Sequence, residues 1–62
     1  MCRAEELQND LENLDFSRRY YMGVLTELEQ LGRTNTREYR NIKRGIETIK
    51  TNMTRIQKEL AT

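Results

Sequence analysis

Gly32-Arg33-Thr34-Asn35-Thr36, near the middle of a 62-residue chain, is its poorest helix-forming stretch. Gly32 suits the left-handed residue that closes a helix, and Asn35 followed three residues later by Glu38 has the pattern of a capping box that opens another. The stretch therefore predicts a turn at about 32–35, between a helix over about 3–31 and a returning helix over about 36–61. A single long helix tolerating one polar layer is the alternative, because the apolar repeat on either side keeps its phase across the gap.

That repeat runs outward from the turn in both directions. With Ala4 at heptad position a, the a and d positions fall at Ala4, Leu7, Leu11, Leu14, Arg18, Tyr21, Leu25 and Leu28 on one side. On the other they fall at Tyr39, Ile42, Ile46, Ile49, Met53, Ile56 and Leu60. Only Arg18, Gly32 and Asn35 interrupt the apolar series. Apolar residues make up only 35% of the chain, which would suit disorder, but disordered chains lack such spacing. The fold class expected is all-α: an antiparallel helical hairpin or coiled coil, with residues 1–62 forming one coiled-coil module.

Folding at the turn sets Leu28 opposite Tyr39, Leu25 opposite Ile42 and Tyr21 opposite Ile46. Toward the open end it sets Leu14 opposite Met53, Leu11 opposite Ile56 and Leu7 opposite Leu60. Two unbroken antiparallel helices from separate chains would make the same layers. The net charge of +1 conceals a division: residues 1–31 carry three basic and seven acidic side chains, a net of −4, and residues 32–62 carry eight and three, a net of +5. Opposed packing of the halves is favoured, with Asp15 expected near Lys50 and Arg3 near Glu59.

The first helix has apolar residues beyond its seam. Phe16, Tyr20, Gly23 or Val24, Glu27 and Leu31 follow helical spacing on a stripe beside the main seam. A lone hairpin would leave them wet, whereas two hairpins joined through their first helices would bury them in a dimeric four-helix bundle. The same cluster, Phe16, Tyr20, Tyr21 and Met22, could instead line a groove for a partner peptide, since aromatics give large contact area at low entropy cost. Gly23 in mid-helix suits a close helix contact or a groove floor.

Composition removes several classes of function. One cysteine, Cys2, excludes an internal disulfide framework, and the absence of histidine excludes a Cys/His zinc site. No phosphate-binding glycine loop and no nucleophile–base pair occurs, so neither an enzyme nor a cofactor is expected. No apolar run spans a bilayer, and the first residues lack the basic-then-apolar order of a signal peptide, so the chain reads as cytoplasmic. The basic second helix could track phosphates through Arg33, Arg37, Arg40, Lys43, Arg44 and Lys50. Pairing with the acidic first helix explains the same charges and argues against nucleic acid as a partner.

The run Tyr20-Tyr21-Met22-Gly23-Val24-Leu25-Thr26-Glu27-Leu28-Glu29, preceded by Asp10-Leu11-Glu12 and followed by Ile42, Ile46 and Ile49 on a returning helix, resembles the C-terminal dimerisation domain of the end-binding microtubule plus-end proteins. The resemblance implies a homodimeric four-helix bundle with an aromatic-lined groove for short basic peptides. It assigns groove positions to Tyr20, Tyr21, Met22, Leu25 and Glu29. A coiled-coil segment of the adenomatous polyposis coli protein is similar over the same aromatic stretch. SNARE motifs are similar in their long series of layers about a polar centre, here Asn35. The expectation is a self-association and partner-docking module of an intracellular scaffold, cytoskeletal by these resemblances, with a SNARE-like helix of a heteromeric bundle as the alternative.

Overall fold

The computed structural model describes residues 2–62. It contains two helices, α1 (Arg3–Gln30) and α2 (Arg37–Ala61), that run antiparallel against each other, with no strand among the described residues. The molecule measures 45 × 14 × 14 Å. Twenty-eight helical residues span about 42 Å at 1.5 Å each, so the length is that of one helix, and the continuous rod of about 90 Å is not formed.

Glycine chemistry ends α1 as the sequence suggests. Leu31 is the last residue of right-handed conformation and Gly32 turns left-handed at φ +74°. The Arg33 N–H then donates to the Leu28 carbonyl at 2.8 Å, and the Gly32 N–H to the Glu29 carbonyl at 3.1 Å. These two bonds form a Schellman motif and satisfy carbonyls that the helix end would leave free.

The start of α2 differs from the expectation by one residue. Thr36, not Asn35, is the cap: its backbone is extended, and its Oγ1 accepts from the Tyr39 N–H at 3.1 Å while donating to the Arg33 carbonyl at 3.3 Å. Capping by Thr36 places Tyr39 where a capping box would need Glu or Gln, so the reciprocal half of the box is lost. Glu38 falls in the first turn, where its charge faces the positive end of the helix dipole. Asn35 lies in the turn, so no continuous stack of layers passes through it.

The seam follows the heptad positions closely. Leu7, Leu28 and Ile46 are buried. Leu11, Leu14, Leu25, Tyr39, Ile42, Ile49, Met53, Ile56 and Leu60 are half-buried, and Tyr21 is 40% exposed. Arg18, the polar seam residue, is half-buried and places its Nε and Nη2 on Asp15 Oδ1 at 3.2 and 2.9 Å.

One expected ion pair is present and one is not. Arg3 meets Glu59 at 3.2 Å, tying the open ends together. Asp15 does not meet Lys50, because Arg18 and Arg19 hold both its oxygens at 2.9 and 3.0 Å, and Lys50 sits 3.7 Å from Glu47. Local pairs at three- and four-residue spacing need no cross-helix reach. No described helix is long and apolar enough to cross a membrane.

Candidate self-association surface

Two creases run between the helices, and their chemistry differs. Along one, charges and hydroxyls are mutually engaged. Asp15 is held by Arg18 and Arg19, Arg18 Nη1 reaches Met22 Sδ at 3.1 Å, and Tyr39 Oη donates to Glu29 Oε2 at 2.9 Å. Lys43 Nζ stands 5.8 Å from the centre of the Tyr39 ring, within cation–π range. The Arg18 hydrogen bond and the positive charges of Arg19 and Arg18 hold the Asp15 carboxyl below its ordinary value of 3.8, against a smaller opposing effect of burial. The Glu29 hydrogen bond, with lesser help from burial and the Glu29 charge, raises the Tyr39 phenol above 10.0.

The other crease is open and largely apolar. A groove of about 540 Å³ is lined by Tyr21 from α1 and by Asn41, Ile42, Arg44, Gly45, Thr48 and Ile49 from α2. Gly45 opens it: a Cβ placed there would have no neighbour within 4 Å. Thr48 turns its Oγ1 onto the Arg44 carbonyl at 3.2 Å, so its hydroxyl is satisfied within the helix and leaves the methyl group as its outward apolar part. Thr51 and Thr54 do the same with Glu47 and Lys50 at 3.0 Å each.

An exposed stripe continues this groove on α1. The Tyr20 ring meets the Tyr21 ring edge to face, with centroids 5.5 Å apart. Tyr20 is 63% exposed, and Phe16 and Leu31, on the same helical stripe with half-buried Val24, are 75% and 64% exposed. Tyrosine, phenylalanine and leucine this exposed on one side of a small molecule, with Glu27 as the charged member of the same stripe, form an apolar face of the kind that marks an interface.

The six residues expected to line a partner groove are not gathered into one depression. Tyr21 lines the groove, with Tyr20 at its edge. Phe16 lies further out on the stripe, Met22 faces the charged crease beside Arg18, Leu25 is half-buried in the seam, and Glu29 is taken by Tyr39. The α2 side of the groove was legible in one signal: Gly45 is a costly residue in a helix interior, directly before the seam residue Ile46. Gly23, expected to suit a close helix contact or a groove floor, is exposed on the stripe with open space around it.

Among the described residues the charges without ion pairs are unevenly spread, and Arg55 and Lys58 at the open end and Glu27 and Glu38 toward the turn run against the trend. Among the described residues no carboxylate lies within 4.0 Å of the basic groups of Arg33, Arg37, Arg40 or Arg44, and no basic group lies within that distance of Glu5, Glu6, Asp10 or Glu12. The one cross-helix ion pair among the described residues joins a base of α1 to an acid of α2, so the opposite net charges of the halves act at a distance and not through contacts. Cys2 is an exposed free thiol. Comparison with protein families, with curated proteins and with solved structures gives no match to this chain.

Proposed function

We propose that the hairpin is a self-association module: two copies join through the face made by the Tyr21–Gly45 groove and the Phe16/Tyr20/Leu31 stripe to give a dimeric four-helix bundle. One observation carries this. The largely apolar crease, with Arg44 the one charged residue of its lining, stays open on a molecule in which, among the described residues, only Leu7, Leu28 and Ile46 are buried. A chain of this size without disulfide or metal gains too little from its own core to leave such a surface in water.

Area supports the same reading. The hairpin exposes 5002 Å² for its 7.5 kDa. A compact monomer of that mass exposes about 4,250 Å², and the excess of about 750 Å² is close to the ~800 Å² that one partner gives to a standard interface.

In the cell, this module serves as the oligomerisation and partner-docking piece of a larger intracellular scaffold, and the Tyr20–Glu29 run suggests a cytoskeletal one. Sedimentation equilibrium at tens of micromolar tests the reading. Twice the chain mass is expected, and a helical species that stays at 7.5 kDa over that range would contradict it.

A further inference from the structure

We infer that the two hairpins pack with their long axes opposed, the turn of each pointing toward the open end of the other, about a two-fold axis at the level of Tyr21 and Gly45. This rests on the self-association reading and names the geometry of its partner, a second copy of this chain.

Charge sets the direction. Residues 16–49, the half of the hairpin nearer the turn, carry seven basic and four acidic side chains, a net of +3. The remaining residues, at the open end, carry four and six, a net of −2. Among the described residues, the arginines without carboxylate partners are Arg33, Arg37, Arg40 and Arg44 at the turn end and Arg55 at the other, and the carboxylates without basic partners are Glu5, Glu6, Asp10 and Glu12 at the open end and Glu27, Glu29 and Glu38 in the turn half, so each end carries an excess of one sign. Parallel packing would set each group beside its own copy, and like charges placed together across an interface oppose association. Opposed packing sets arginine beside carboxylate.

Apolar surface sets the level of the axis. Tyr20, Tyr21, Val24 and Leu31 lie in the turn half, as does the groove, so the apolar surfaces overlap only if the axis lies there and the open ends project beyond it. With the axis at Tyr21, the seam register brings Arg33 level with Asp10 of the second copy and Arg37 level with its Glu12 and Asn13. Gly45, with no side chain, lets the second copy approach the α2 backbone closely at the centre.

The native Cys2, exposed and the only cysteine, reads out the arrangement without a mutation. It lies 19 residues from Tyr21, so in opposed packing the two Cys2 sites stand about 57 Å apart along the axis. Nitroxides attached to Cys2 of the full chain, measured by pulsed electron double resonance on a sample of known sedimentation mass, should give about 55–60 Å. A distance under about 25 Å in a dimer would overturn the opposed orientation while leaving self-association standing. A monomer mass would overturn both.

Discussion

The Tyr39 hydroxyl donates to Glu29 Oε2 at 2.9 Å and so joins the first turn of α2 to the last turn of α1 across the loop. The bond needs a protonated phenol, and it raises the Tyr39 pKa above 10.0. The folded state thus holds the proton more tightly than the unfolded chain. Its contribution is full below pH 10 and is lost as pH rises through the folded value. Tyr39→Phe keeps the ring under Lys43 and removes only the hydroxyl. Thermal melts of this variant should begin lower at neutral pH and lack the alkaline decline expected of the parent above pH 10. An unchanged alkaline limb would place its origin elsewhere.

Gly32→Ala should destabilise the hairpin, because φ +74° is the left-handed region that costs an L-residue about 1–2 kcal/mol. Gly23→Ala should do the reverse. Gly23 is helical and a Cβ there meets nothing, so alanine gains about 0.8–1.0 kcal/mol of helix propensity. Each kcal/mol corresponds to about 4–8 °C in Tm for a domain of this size. Circular dichroism melts of the two variants should therefore move in opposite directions from the parent.

Ile46 is the least exposed seam residue, at 4%. Truncation to alanine removes packed methyl groups from a seam in which just two other side chains are buried, and such losses cost about 2–5 kcal/mol. A chain of this size has little more than that in reserve. Ile46→Ala should lose most of its far-ultraviolet helix signal at 25 °C, while Thr26→Ala, at an exposed residue off both the seam and the stripe, should keep it.

The hairpin was legible because its signals are local. Gly32 dictates a left-handed residue whatever surrounds it, and the seam spacing fixes which side of each helix faces the other. The cap was displaced because Asn35 and Thr36 both have capping side chains, and the choice between them depends on the backbone path from Gly32, with Thr36 also bonding the Arg33 carbonyl. The Asp15–Lys50 pairing failed because net charge specifies orientation and not partners. Arg18 and Arg19 reach Asp15 from its own helix. The groove was half legible. Tyr21 stood out as an aromatic, but the depression depends on Gly45, whose meaning comes only from the residues that α1 sets opposite it.

Asp15 governs the acid limb. Its carboxylate is stabilised first by the Arg18 hydrogen bond and then by the charges of Arg19 and Arg18, so its folded pKa lies below 3.8. The unfolded chain therefore takes up the proton first as pH falls. The contribution is full above about pH 4 and disappears as pH drops through the folded value. Asp15→Asn should melt lower at pH 7 and lose less than the parent between pH 5 and pH 2. It should also release Arg18, a half-buried seam residue, which makes the loss at pH 7 greater than for Glu12→Gln, where no ion pair is formed.

Gly45→Ala separates the stability of the hairpin from that of the dimer. Within one hairpin the added methyl meets nothing within 4 Å and improves helix propensity by about 0.8–1.0 kcal/mol, as at Gly23. Against a second copy packed on the groove, the same methyl stands where a side chain must enter, and overpacking at a fitted surface costs about 1–3 kcal/mol. Every 1.4 kcal/mol is tenfold in Kd, so the dimer should weaken by about fivefold or more. Thr26→Ala is the control, since Thr26 is exposed in mid-helix and lies one turn from Met22, on the charged side of α1 and away from the stripe. Alanine there also raises helix propensity, so dilute samples of both variants should melt above the parent. In concentrated samples Gly45→Ala should lose that advantage and sediment with a raised Kd, while Thr26→Ala keeps it. Equal dimerisation by Gly45→Ala and the parent would remove Gly45 from the interface.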